Sequence, residues 1–192
     1  GEQGLGAVDA QGVQDEIDVY FGTFAKAMAS IGAFVSADKQ VIEYLQYNMR
    51  SQTFAKSLPM PLVIGALKRL ELLRTRPEFK DNLWKMANAL QGGLRGAGFD
   101  LGVTNSAVTP VYMKGGLFEA TNLIIDLREN YNIFTSIVVY PVVPKDVILL
   151  RLIPTAIHTQ EDVDETVATF TSVTDKLNAG EYQGSEIVRM DG

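Results

Sequence analysis

The sequence predicts an α/β fold. Short β-branched or aromatic runs such as AVTPVYM and VILLRLI alternate with longer segments of helical period, and Gly and Pro mark the boundaries between them. The composition agrees: 192 residues, 46% hydrophobic and 21% charged, suit a folded chain with a sizeable core.

The elements follow in order. GEQGLGAVDAQGV opens the chain as a glycine-rich loop whose backbone turns tightly or approaches something closely. That opening gives the expectation that the chain is the C-terminal part of something longer; a short disordered terminus or a leftover tag is the alternative. DVYFG and IGAFVS are brief apolar runs ended by Gly or Asp, which predicts two strands joined by a turn. DKQVIEYLQYNM spaces Val41, Ile42, Leu45 and Met49 as one helix face, with Asp38 placed to cap it. A long helix follows over PMPLVIGALKRLELLRTR, which Pro77 breaks. PEFKDNLWKMANALQGGLRGAG repeats the helical period through Phe79, Leu83, Met86, Leu90 and Leu94. AVTPVYM, FTSIVVYPVV and VILLRLI predict strands, with a helix over LFEATNLIIDLRENY between the first two. The final helix opens at Thr159 with Asp162 three residues on, and turns Val163, Val167, Phe170 and Val173 inward. The organisation expected is 1–58 as the end of a larger domain, 59–94 as connecting helices, and 95–192 as a small α/β domain with an antiparallel sheet.

Composition also narrows function. A net charge of −6 with no block of consecutive Lys or Arg argues against a nucleic-acid footprint. The chain has no Cys, so thiolate metal sites, disulfides and cysteine nucleophiles are excluded, and no metal site is expected. The single His158 rules out a serine–histidine triad built on any second histidine; beside a helix start, it reads as structural. No apolar run reaches roughly 18 residues, so no transmembrane segment is expected, and a cytoplasmic location is.

The segment TFAKAMASIG holds the candidate chemistry. Lys26 lies between Ala25 and Ala27, with Thr23 three positions before it and Ala29, Ser30 and Gly32 after it. A lysine amine becomes a nucleophile only when neutral, which from a reference pKa of ~10.4 requires burial or a nearby cation. Small neighbours permit such burial, so Lys26 is expected to point inward, with room for a flat aldehyde cofactor and with Thr23 near its phosphate. On residue chemistry alone, a surface lysine on a turn between two strands remains the alternative.

The wording of GTFAKAMASIGAFVS resembles the cofactor-attachment segment of pyridoxal-phosphate enzymes of the aspartate-aminotransferase type, in the α-oxoamine synthase family. GEQGLG, SQTFAKSLPM and LLRLIPTAIHTQEDVD resemble further stretches of that family, so the likeness spans nearly the whole chain and corresponds to the second half of such an enzyme. The resemblance implies the C-terminal portion of the fold-type-I architecture: part of the large-domain sheet plus a small α/β domain. It implies a pyridoxal 5'-phosphate cofactor joined to Lys26, with Thr23 on the phosphate and Arg151 clamping the substrate carboxylate. The implied reaction condenses an amino acid, serine or glycine, with an acyl-CoA and decarboxylates the product to an aminoketone, Lys26 also moving the α-proton. A homodimer is implied as well, with SQTFAKSLPM contributed across its interface, and PVVP, Pro141 to Pro144, lies where the family has a mobile loop; two prolines equally suit a rigid strand exit. The interruption of VILLRLI by Arg151 is consistent with a planar anionic partner, and an arginine on the wet face of an edge strand or paired with a structural acid is the other reading.

Two positions depart from the pattern. Ala55 and Ala25 lack hydroxyls that relatives carry near the phosphate, and Thr53 or Ser57 stands close enough in sequence to compensate. The family's aspartate for the pyridine nitrogen, its ring-stacking histidine and its glycine-rich phosphate turn have no counterpart in these 192 residues, so little turnover is expected of the chain alone. An aminotransferase and a non-catalytic folded unit are the competing functions.

Overall fold

The computed structural model describes residues 4–183. The opening residues 1–3 of the GEQGLG segment lie outside them. The chain divides into two compact units, Gly1–Pro77 and Glu78–Gly192. The long helix before Pro77 thus groups with the first unit and the helix after it with the second.

The first unit starts with a short helix, α1 (Ala7–Gln11), where the glycines suggested only loop. Gly12, at a left-handed φ of 67°, ends it, so glycine here frames a helix. Strands β1 (Val19–Thr23) and β2 (Ala33–Ala37) pair antiparallel, with Val19 opposite Ala37 and Thr23 opposite Ala33. The sense of the pair follows from its connection: one this short reverses the chain, whereas parallel neighbours need a crossover of about a dozen residues or more. Helix α2 (Lys39–Asn48) begins after Asp38, whose side chain makes no capping hydrogen bond. The short α3 (Arg50–Phe54) and the long α4 (Met60–Thr75) complete the unit. None of its described residues is fully buried, and Phe21, Ile31 and Phe54 are each more than 60% exposed.

The second unit has a closed core. It comprises α5 (Pro77–Gly96), β3 (Thr109–Lys114), α6 (Leu117–Tyr131), β4 (Ser136–Val138), β5 (Val147–Leu152) and α7 (Gln160–Asn178). The sheet order is β3-β5-β4, antiparallel throughout, as the sequence predicted for this part. Alternation along the strands sends Val111, Met113, Ile148, Leu150 and Leu152 to one face. There they meet Met86, Leu90 and Leu94 of α5, Leu123 and Leu127 of α6, and Val163, Phe170 and Val173 of α7. Phe170, fully buried, packs edge-on against Phe99 at 5.9 Å between ring centroids. Buried Gln91 donates to the Ser106 carbonyl and to Thr109 Oγ1, so its amide is not stranded in the core. Strand β4 is shorter than FTSIVVYPVV suggested, because Pro141 and Pro144 have no N–H to give a ladder.

The end of α7 is pinned to α6 by one carboxylate. Asp126 accepts hydrogen bonds from Lys176 Nζ (2.8 Å), from the Tyr182 hydroxyl and from Asn130. Burial pushes the Asp126 carboxyl up, but the hydrogen bonds from Lys176, Tyr182 and Asn130 outweigh it and leave the group below its ordinary value. A carboxyl depressed in the folded state stabilises fully above the ordinary carboxylate range and loses that contribution as pH falls through its folded value. Asp126→Asn is therefore expected to lower unfolding free energy in urea by about 1–3 kcal/mol at pH 7, with the gap to the parent closing as the pH is taken below about 3.

Candidate active site

Thr23 closes β1, and the nine residues that follow form the loop to β2. The Phe24 N–H donates to the Gly32 carbonyl (2.9 Å), and the Ser30 N–H donates back to the Phe24 carbonyl (2.8 Å). Inside that clasp the Ala29 N–H donates to the Lys26 carbonyl (2.9 Å), closing a tight turn with Lys26 as its first residue. The turn sets Ala29 at a left-handed φ of 41°, and Gly32 leaves it at φ 106°. Only glycine suits that last position, since a Cβ there would also stand 2.7 Å from Leu58 Cδ2. At the strand end, the Phe34 ring lies over Gly22, where an added Cβ would come within 2.5 Å of it, and stacks on Tyr20. The small residues around Lys26 therefore serve the turn and the ring as much as the amine.

Lys26 is exposed, which corrects the expectation that it points inward. The cause is local: its side chain leaves a two-stranded hairpin in a unit of which no described residue is fully buried, so no described residue of that unit dries the amine. Among the described residues no ion pair or hydrogen bond engages the Lys26 side chain. The hairpin brings Thr23 and Lys26 onto one strand end and its turn. Ser30 Oγ, buried in the same loop, has no hydrogen-bond partner. An uncommitted primary amine, an exposed hydroxyl and an unsatisfied polar atom together suit an aldehyde cofactor bearing a phosphate. Thr53 and Ser57 are exposed too, and the Thr53 hydroxyl donates to the Met49 carbonyl at 3.5 Å.

Arg151 stands in the second unit, on the central strand of its sheet rather than at an edge. It projects from the face opposite the helices, opposite Pro110 on β3 and Ser136 on β4. Its Nε–H donates to Ser136 Oγ (3.2 Å), and Thr135 Oγ1 donates to its carbonyl (2.8 Å). No acid among the described residues pairs with it. Neither threonine nor serine was legible as a neighbour, because a contact across strands depends on a register that the sequence does not display.

His158 is held by the turn before α7: the Thr155 N–H donates to its Nδ1 (3.0 Å), and Asn82 donates to the carbonyls of Ala156 and His158. Thr159 and Asp162 form the expected reciprocal cap, Thr159 N–H to Asp162 Oδ2 at 2.7 Å and Asp162 N–H to Thr159 Oγ1 at 3.2 Å. The Thr159 N–H, then its hydroxyl, holds the Asp162 carboxyl below its ordinary value. A cleft of about 680 Å³ opens beside this turn, lined by Tyr131, Ile133, Leu152, His158, Asp162 and Glu165 among others, and Arg151 is not one of its walls.

The family model for aminotransferase class I and II matches residues 1–170. The chain belongs to that family. A cysteate-C-fatty acyltransferase of Capnocytophaga ochracea is 57% identical over 95% of the chain and 44% of the relative. A serine palmitoyltransferase of Sphingobacterium spiritivorum is 38% identical over 87% of the chain and 41% of the relative. An 8-amino-7-oxononanoate synthase of Alkaliphilus oremlandii is 32% identical over 93% of the chain and 45% of the relative. These relatives are α-oxoamine synthases, as the sequence resemblance implied. The solved structure of SPT with PLP superposes with a TM-score of 0.84 at 29% identity, covering 93% of this chain and 45% of that one. The chain thus spans less than half the length of the curated relatives it matches. No described helix is long and apolar enough to cross a membrane.

The loop geometry yields its own test. Gly32→Ala is expected to cost about 1–3 kcal/mol of stability through strained φ and the Leu58 contact, read by urea unfolding, and to shift amide resonances across residues 23–33 while leaving those of β3 and β5 in place.

Proposed function

We propose that the enzyme carrying this chain condenses an amino acid with an acyl-CoA thioester, releasing free CoA and carbon dioxide and leaving an α-aminoketone. The observation that carries this is the 57% identity, over 95% of the chain, to a cysteate-C-fatty acyltransferase. That identity favours cysteate as the amino acid. Serine is the second reading, supported by the serine palmitoyltransferases and by the wording around MASIGAFVSAD.

The residues divide the work by their chemistry. Lys26 offers the amine that would hold the cofactor's aldehyde and, when free of it, a base that would take the substrate's α-proton at its Nζ. The Thr23 hydroxyl is a donor for the cofactor phosphate, with Thr53 or Ser57 covering for the hydroxyl that Ala55 lacks. Arg151 presents a planar guanidinium to the substrate carboxylate. Pyridoxal phosphate, when bound, supplies the electron sink that makes loss of the α-proton feasible. The Pro141 to Pro144 segment leaves β4 with Val142, Pro141 and Pro144 exposed, which suits a loop that covers substrate. A homodimer is part of the proposal: the first unit exposes Phe21, Ile31, Tyr47 and Phe54, an apolar surface that a second copy would remove from water.

The test is kinetic. Supplied with cysteate and a long-chain acyl-CoA, the full enzyme is expected to release CoA thiol only when the amino acid is present, with kcat/KM for serine lower by about tenfold or more. Transfer of the amino group to a 2-oxo acid with the thioester left intact would overturn the condensation and identify an aminotransferase.

A further inference from the structure

The guanidinium of Arg151 is held on one side. β5 is the central strand, so Arg151 has a cross-strand neighbour on each flank, Pro110 and Ser136. Proline offers that face no side-chain acceptor, whereas Ser136 Oγ accepts from Arg151 Nε at 3.2 Å. Thr135 Oγ1 adds a second tie, to the Arg151 carbonyl at 2.8 Å, fastening the same residue of β5 to the start of β4. Arginine carries five N–H donors in a rigid fork, and engaging Nε leaves the four on Nη1 and Nη2. These are the donors that meet a carboxylate end-on, as a parallel pair.

We infer that Ser136 is a positioning residue: it holds the plane of the Arg151 guanidinium so that the Nη1/Nη2 edge is turned toward the substrate's carboxylate. The inference rests on the reading of Arg151 as the carboxylate clamp given above. Ser136 touches the substrate nowhere in this role and acts through Arg151 alone. The free side chain would otherwise sample several rotamers about its long stem, and each must be given up when a ligand is bound; a bond to Nε removes part of that freedom beforehand. An alanine at 136 keeps the strand but not the acceptor. A threonine keeps both, since a β-branched residue suits β4.

The effect should therefore fall on binding more than on turnover. In the holoenzyme, Ser136→Ala is expected to raise KM for the amino acid about three- to tenfold, the equivalent of one hydrogen bond, with a smaller fall in kcat, and Ser136→Thr to restore it. In the 192-residue chain labelled with ¹⁵N-arginine, the Arg151 Nε–H resonance is expected to exchange with water faster in Ser136→Ala than in the parent or in Ser136→Thr. Arg151→Lys separates the two layers of the argument. If it raises KM while Ser136→Ala changes neither KM nor Nε–H exchange, the positioning role is overturned and the clamp stands. If Arg151→Lys leaves KM unmoved, the clamp itself is overturned, and the role of Ser136 falls with it.

Discussion

The ladder between β1 and β2 is the constraint on which the candidate chemistry depends. Its register sets Thr23 opposite Ala33, and two loop hydrogen bonds between Phe24, Ser30 and Gly32 then close the segment that carries Lys26. This ladder is not supported from beneath by a core, since no described residue of its unit is fully buried. What holds it is the backbone pairing and a small aromatic group, Phe34 lying between Tyr20 and Phe24 with centroid separations of 6.1 and 5.8 Å. Such pairs contribute on the order of 0.5–1.5 kcal/mol beyond their area. The hairpin is thus geometrically well defined yet lightly anchored, and its exposed apolar side chains call for a covering surface.

The second unit solves the opposite problem. Its helices cover one face of the sheet completely, and Phe170, Leu94, Leu123 and Leu150 have no exposure at all. A rigid core behind a strand is what allows the other face to present a cation in a fixed place. Arg151 is exposed while Leu150 and Leu152 on either side are buried, so the strand itself enforces the division between support and function. The proposed role for Ser136 extends that division across to β4.

The sequence displays the helices of the second unit plainly because they are long, periodic and punctuated. Thr159 and Asp162 mark the start of α7 by a local reciprocal bond that needs no tertiary information. Lys26 and Thr23 were singled out for a different reason: the order of small and bulky residues around them resembles a family's cofactor-attachment segment. What could not be read depends on partners distant in sequence. The sense of the β1–β2 pair, the central place of β5 and the Ser136 contact all follow from strand order and register, which hydrophobic pattern alone leaves open. The inward aim expected of Lys26 failed for a related reason, since small neighbours permit burial but burial itself requires other chain segments to provide walls. Helix α1 was missed because its glycines sit at its two borders, Gly6 and Gly12, where they read as loop.

The most direct trial of the account concerns the amine of Lys26. The enzyme is incubated with pyridoxal phosphate, reduced with borohydride, digested, and its peptides weighed. The account predicts the reduced cofactor on Lys26 alone, within the peptide spanning the β1–β2 loop, and its loss in Lys26→Ala. A cofactor mass spread over surface lysines such as Lys39 and Lys56, or absent from residue 26, would contradict it.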